Sequence, residues 1–449
     1  MKTTFLVAVQ LLFIFIYSFS QKSFNREEYL KATSNDKTVF TQERLYKFVD
    51  IIKKYHPYNS DSINGEPIKA IIKNLDWPKK PLNDAELVFH IRKFLDYMTE
   101  EDPHIVAIPT LRKTKDYKVK LSMLKTPPFW GLHVNDTLII HKSLNKKLKQ
   151  GDRILTINSI PVSEVIKYNY KYRYVNMANM MWYYHYNISD TYEIVLQRNN
   201  KDIKVDVEGI PFSEYYANNG LFCESKIYNE HRVGYFNLRT FETNRYIFKK
   251  LNSFCKTLSK EGIQNLVIDL RENTGGSGHM LDAFFSLFCS YDSIPYLKSA
   301  FVRVSKVTED YGFSSSETGK LLPLPKREIH NTVILNSKYY VGPIKLFVLI
   351  SENTASTAAT FANVIQYNNM GKLVGEPLKK NALKYGEIDQ WNFGYLNLTL
   401  STVEFNEYTK AKSGVLIPDI EIPYIAKDYM QGGDPVLEKL LDKIKKNQR

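Results

Sequence analysis

Cysteine is scarce in this chain: three residues, Cys223, Cys255 and Cys289, among 449. At most one internal disulfide can form, so a small disulfide-stapled scaffold is excluded. None of the three sits in a C-x-x-C or histidine-rich setting, so neither a metal site nor a cofactor is expected. Acidic residues are in deficit, with 61 Lys+Arg against 48 Asp+Glu and a formal net charge of +13. Such a balance raises the question of a nucleic-acid partner. The lysines, however, are scattered among acidic residues, and no zinc-finger, RRM or helix-turn-helix pattern accompanies them. A solvated basic surface without nucleic acid is the reading. Repeats and low-complexity tracts are lacking too, even for the 31 tyrosines, and 43% hydrophobic with 24% charged residues is an ordinary globular composition.

Long apolar runs are missing except at the start, MKTTFLVAVQLLFIFIYSFSQ. There Lys2 precedes a run from Phe5 to Ile16 broken only by Gln10, and Ser18 and Ser20 follow at signal-peptidase spacing. A span needs about 20 apolar residues, so residues 1–20 are expected to be a signal peptide cut before Gln21. Export to a periplasmic or extracellular location follows, with no stable membrane span afterwards. An uncleaved anchor is the competing reading. No cysteine follows the run, so a lipoprotein anchor is not indicated.

Beyond the leader, length alone implies two or three domains. Residues 21–116 read as a helical cap region. ERLYKFVDIIKKYHPY places Leu45, Phe48, Val49 and Ile52 on one face, and Pro57 ends that helix near His56. DAELVFHIRKFLDYM offers Asp84 as N-cap and a stripe of Leu87, Ile91, Leu95 and Met98, with His90 packed beside it. Residues 117–210 are strand-rich and contain LKQGDRILTINSIPV, a glycine-aspartate turn feeding Ile154, Leu155 and Ile157 and then an Asn-Ser turn. In residues 211–430 strand-turn-helix units recur, which indicates an α/β layer architecture. VGYFNLRTF reads as a strand, Asn244 to Lys260 as a helix, and the continuous run Leu266–Ile268 as a strand buried on both faces. Residues 431–449 read as a basic C-terminal tail, with LDKIKKNQR as a fraying basic helix end.

Two segments of the α/β region carry the chemistry. In NLVIDLRENTGG, paired glycines just past a strand let backbone N–H groups face outward with no Cβ in the way. The phosphate-loop alternative lacks the lysine of GxxxxGK[ST] and the GxGxxG spacing. In KLFVLISENTASTAATFANVIQ, Ser356 precedes a helix, with Ala355, Thr357, Ala358 and Ala359 keeping its first turn uncrowded. Alone, Ser356 would read as a helix-start serine. A helix N-terminus offers free N–H groups and a partial positive charge to a developing oxyanion.

Together these segments resemble the tail-specific, or C-terminal processing, serine proteases. Asp269, Leu270, Arg271, Asn273, Gly275 and Gly276 match that family's D-L-R-x-N-x-G-G, and LKQGDRILTINSIPV is similar to its PDZ segment, with Ser159 where glycine is usual. The resemblance implies a crotonase-like (ββα superhelix) α/β core with a helical cap and an inserted PDZ-like domain. It implies Ser356 as nucleophile, with oxyanion donors from Gly275, Gly276 and Thr357, and a polypeptide substrate whose C-terminus the PDZ-like domain captures. Gly375-Glu376-Pro377 follows the serine helix as the family's G-E-x-T does, with Leu378 replacing threonine and Ala359 where an acidic residue is common. Bacterial members draw their base from a lysine beyond that motif, but the matching position holds Asn381. Lys380 and Lys384 are near and are the alternative bases. The tricorn-like branch uses a histidine ahead of the PDZ domain, within D-G-H-T or D-P-H-T, and Asp102-Pro103-His104-Ile105 is similar. That points to His104, since histidine's reference pKa of about 6.5 suits a general base. For an orienting carboxylate, Glu376, Glu387 and Glu404 stand as candidates. The competing readings are a non-catalytic binding protein on the same fold and a hydrolase of small esters or amides. The oligomeric state is not legible.

Overall fold

A computed structural model describes residues 42–58, 62–63, 66–74, 90–91, 94–95, 102–109, 124–166, 173–177, 189–218, 223–242, 244–325, 331–393 and 396–447. The leader and most of the expected helix from Asp84 to Met98 lie outside the described residues. Within that helix, residues 90–91 and 94–95 are helical, with Ile91, Phe94 and Leu95 buried. The first expected helix is α1, Gln42–Tyr55. Its Phe48, Val49 and Ile52 are buried, and it ends just before His56, as the following proline requires. A short strand, β1 (Val106–Pro109), then leaves this region.

Sheet A is antiparallel and is built from β2 (Phe129–Val134), β3 (Thr137–Ser143), β4 (Arg153–Ile157), β5 (Tyr174–Val175), β6 (Thr191–Arg198) and β7 (Lys201–Glu208). Its order is β7-β6-β4-β3-β2-β5, with β5 on the edge beside β2. The hairpin after β4 pairs Ile157 with Ile160 across Asn158 and Ser159, both at positive φ. That is the geometry a two-residue turn needs to follow the strand twist.

Sheet B is mostly parallel. Its members are β8 (Cys223–Tyr228), β9 (Val233–Leu238), β10 (Asn265–Asp269), β13 (Lys345–Ile350), β14 (Gly371–Gly375) and β17 (Ile420–Glu421), in that order across the sheet. The crossovers are α2 (Asn244–Lys260), α3 (Leu281–Ser286) and α4 (Thr357–Tyr367). In β10, Leu266 and Ile268 pack with the helices while Val267 faces Leu132, Val134 and Ile139 of sheet A. Burial on both faces explains the unbroken apolar run.

Sheet C is antiparallel, ordered β12-β11-β16-β15 from β11 (Leu297–Arg303), β12 (Leu321–Pro323), β15 (Tyr385–Asn392) and β16 (Leu396–Glu407), and β1 pairs with β16. In the basic tail the helical stretch begins earlier than LDKIKKNQR and forms α5 (Pro435–Lys446). Val436, Leu437, Leu440, Leu441 and Ile444 are buried in the layer between sheets A and B. Its lysines occupy the outer face, which is why composition alone suggested a tail. Cys223, Cys255 and Cys289 are all buried free thiols.

Candidate active site

The glycine loop and the serine turn meet at the C-terminal ends of β10 and β13. Ser351 Oγ donates to Arg271 O (2.6 Å) and Thr354 Oγ1 to Leu270 O (2.8 Å), which stitches the serine turn to the end of β10. Buried Asn273 completes the join. Its Nδ2 donates to Leu238 O, its Oδ1 accepts from Gly275 N (2.8 Å) and its carbonyl accepts from Ala355 N. The motif's Asp269 and Arg271 serve the framework: Arg271 pairs with Asp269 and with Asp434, the residue that caps α5. Burial alone would raise the Asp434 carboxyl, but Arg271 holds it below the usual range.

Ser356 precedes α4 with φ +53° and ψ −132°, a conformation that an L-residue adopts at a cost of about 1–3 kcal/mol. Its side chain makes no capping hydrogen bond. The strain turns the hydroxyl away from the N-cap role that a helix-start serine normally fills. Gly275, at φ +107°, lies so near that a Cβ there would stand 2.7 Å from Ser356 Cβ. Glycine is thus required at 275 for closeness as well as for φ. Thr357 Oγ1 donates to Gly276 O (2.6 Å), fixing the two backbones side by side.

Of the three expected oxyanion donors, Gly275 is corrected by the geometry, because its N–H is already held by Asn273 Oδ1. The N–H groups of Gly276 and Thr357 make no hydrogen bond among the described residues. Thr357 directly follows Ser356, and Gly276 follows Gly275, the residue packed against Ser356.

His104 stands just ahead of β1, and its carbonyl accepts from Thr399 Oγ1 of β16 (2.8 Å). Its Nδ1 meets Asp102 Oδ1 at 2.9 Å, and its backbone N–H donates to that same oxygen. Asp102 Oδ2 meets His56 Nε2 at 2.9 Å. On the other side of the ring, His56 Nδ1 accepts from Tyr58 N (3.0 Å). Burial by itself would raise the Asp102 carboxyl, but the charge and hydrogen bond of His104, with those of His56, hold it well below the usual carboxylate range. Asp102 and His56 are fully buried, and Arg303 fixes the His56 and Pro57 carbonyls. With Nδ1 committed to Asp102, His104 Nε2 is left as the acceptor. It is buried and makes no hydrogen bond, so no bond joins it to Ser356 in this structure.

The carboxylate beside His104 is Asp102, two residues away, rather than one of the three glutamates. Glu376 is held bidentately by Arg173, Glu404 pairs with Lys384 (3.8 Å), and Glu387 is exposed at φ +50°. The sequence signal for Asp102 was its place in the D-P-H segment, and for His56 the Y-H-P segment. The lysines are drawn elsewhere: Lys384 also lies over the Tyr385 ring, and Lys380 is exposed.

A buried imidazole with one nitrogen anchored and the other open, and a serine denied its capping role, suit the chemistry of the serine hydrolases. Within that class, residues 232–422 match the family model of Peptidase family S41. Over those residues the chain is similar to the peptidases of that family. Among solved structures, that of a CPAF mutant covers 90% of this chain and 96% of its own at 13% identity, with a TM-score of 0.62. Mature CPAF complexed with lactacystin covers 90% and 97% at 14% identity, with a TM-score of 0.60. These likenesses show a shared mixed α/β fold. The photosystem II D1 C-terminal processing protease covers 86% of this chain and 94% of its own at 14% identity, with a TM-score of 0.46. No curated protein matches.

Proposed function

We propose that the chain is an exported endopeptidase that cleaves polypeptides through an acyl-enzyme at Ser356. Ser356 Oγ attacks the scissile carbonyl carbon while its proton passes to His104 Nε2. The oxygen that becomes negative is held by the N–H groups of Gly276 and Thr357 at the head of α4. As the C–N bond breaks, His104 returns the proton to the leaving amine, and an ester on Ser356 remains. Water, deprotonated by the same nitrogen, then releases the acid and restores the serine. Asp102 keeps the ring's proton on Nδ1 and stabilises the imidazolium, and His56 holds Asp102 in turn. The observation that carries this reading is the strained Ser356 backbone, whose hydroxyl is excluded from capping its own helix.

Two further parts belong to the proposal. Sheets B and C would be a crotonase-like core, and sheet A a PDZ-like domain that recognises a polypeptide tail. The charged start and short apolar run of the leader support export. A fluorophosphonate probe tests the central step. Labelling of the parent should map to Ser356 and vanish in Ser356→Ala. Labelling elsewhere, or none in folded protein, would favour the non-catalytic reading.

A further inference from the structure

We propose that β5 is a resident strand, filling the edge of sheet A where a polypeptide tail would add, and that Arg173 beside it is a positioning residue linking that edge to the nucleophile turn. The proposal rests on the reading of Ser356 given above and states how its turn is held. Gly131 and Leu132 of β2 pair antiparallel with Val175 and Tyr174. The pairing continues one residue outward, where His133 N–H donates to Arg173 O (2.7 Å) and Arg173 Nη1 donates to His133 O (2.8 Å). A tail adding to this edge needs those same main-chain groups of β2. The slot is therefore occupied by the chain itself.

The occupant is also fastened to the catalytic core. Arg173 N–H donates to Asn353 Oδ1 (2.7 Å), and Asn353 Nδ2 returns a bond to Tyr174 O (3.3 Å). Asn353 is buried three residues before Ser356. The Arg173 guanidinium grips Glu376 through Nε and Nη2 at 3.0–3.2 Å and stacks over Tyr424. Glu376 N–H in turn meets Ile350 O, at the end of the strand that feeds the serine turn. Arg173 thus touches the turn from both sides: through Asn353 within it and through Glu376 beneath its strand. A tail that displaces β5 withdraws these contacts, so occupancy of the edge and the setting of Ser356 are coupled.

The fork geometry matters, because lysine supplies charge but a single point of contact. With a short amidated peptide that cannot reach the edge slot, Arg173→Ala should lower kcat roughly tenfold or more at little-changed KM. Arg173→Lys should recover part of that loss. Fluorescence anisotropy with an extended, free-carboxylate peptide should show roughly tenfold tighter binding to Arg173→Ala, whose resident strand is loosened. Active-site titration normalises both variants to folded enzyme. Parent-like kcat and parent-like peptide affinity in Arg173→Ala would overturn the proposal, and so would a loss that appears wholly in KM. The anisotropy measurement does not involve Ser356, so it separates failure of this inference from failure of the nucleophile reading.

Discussion

A carboxylate two residues before a histidine reads in sequence as part of a turn. In the folded chain Asp102 is the buried centre of a His104–Asp102–His56 chain, with both contacts at 2.9 Å. Its neighbours stabilise the charged form, and asparagine would offer an amide that permits the wrong imidazole tautomer. Asp102→Asn should therefore reduce kcat by about 10²- to 10⁴-fold with KM little changed, read from steady-state peptide hydrolysis. A parent-like kcat would remove Asp102 from the mechanism. Ser356 and His104 could be singled out as candidates because each lies in a short motif whose spacing is set by one turn. The partners Asp102 and His56 are 46 residues apart, and only the packing of α1 against β1 and sheet C brings them together. Gly275 was misread because a glycine needed for closeness looks the same in sequence as one that presents its N–H.

At the scale of elements, β16 touches both the His104 segment and α4. Its Thr399 holds the carbonyl of His104, and its Glu407 accepts from Thr360 Oγ1 and Asn363 Nδ2 of α4, each at 2.7 Å. Burial raises the Glu407 carboxyl to about 7, against the lowering effect of those two hydrogen bonds. Its ordinary value is 4.5, so between those limits the folded chain keeps a proton that the unfolded chain has released. Stability contributed here is full at low pH, falls as pH rises through that window and is flat above it. Glu407→Gln should remove the slope and gain up to about 3 kcal/mol over the parent at pH 8 relative to pH 5, by urea unfolding. Equal pH dependence in both proteins would contradict this. A second element, α5, depends on Asp434, which caps it (Leu437 N, 3.2 Å) and neutralises Arg271. Asp434→Ala should cost about 2–4 kcal/mol of unfolding free energy, losing both a cap and a buried ion pair. The helix Asn244–Lys260 and the strand at Leu266–Ile268 were readable from period and burial. Only the end of α5 was readable, because Arg271, which pairs with its cap Asp434, lies 163 positions earlier.

For the whole molecule, the family motifs marked sheet B, and the glycine-aspartate turn marked sheet A. Sheet C was not foreseen, since its strands come from β1 and from residues after 297 with no local signal of mutual pairing. Yet sheet C anchors His104 through Thr399 of β16 and reaches α4 through Glu407 of the same strand. The account therefore stands on a base delivered from the N-terminal part of the chain rather than from the lysines beyond Glu376. The most direct measurement is the hydrolysis rate of one peptide by the parent, His104→Ala, Lys380→Ala and Lys384→Ala, each normalised to folded protein. The account predicts that His104→Ala falls nearly as far as Ser356→Ala, because nucleophile and base act as a unit. Both lysine variants should stay within a few-fold of the parent. Full activity in His104→Ala together with a dead Lys384→Ala would contradict it.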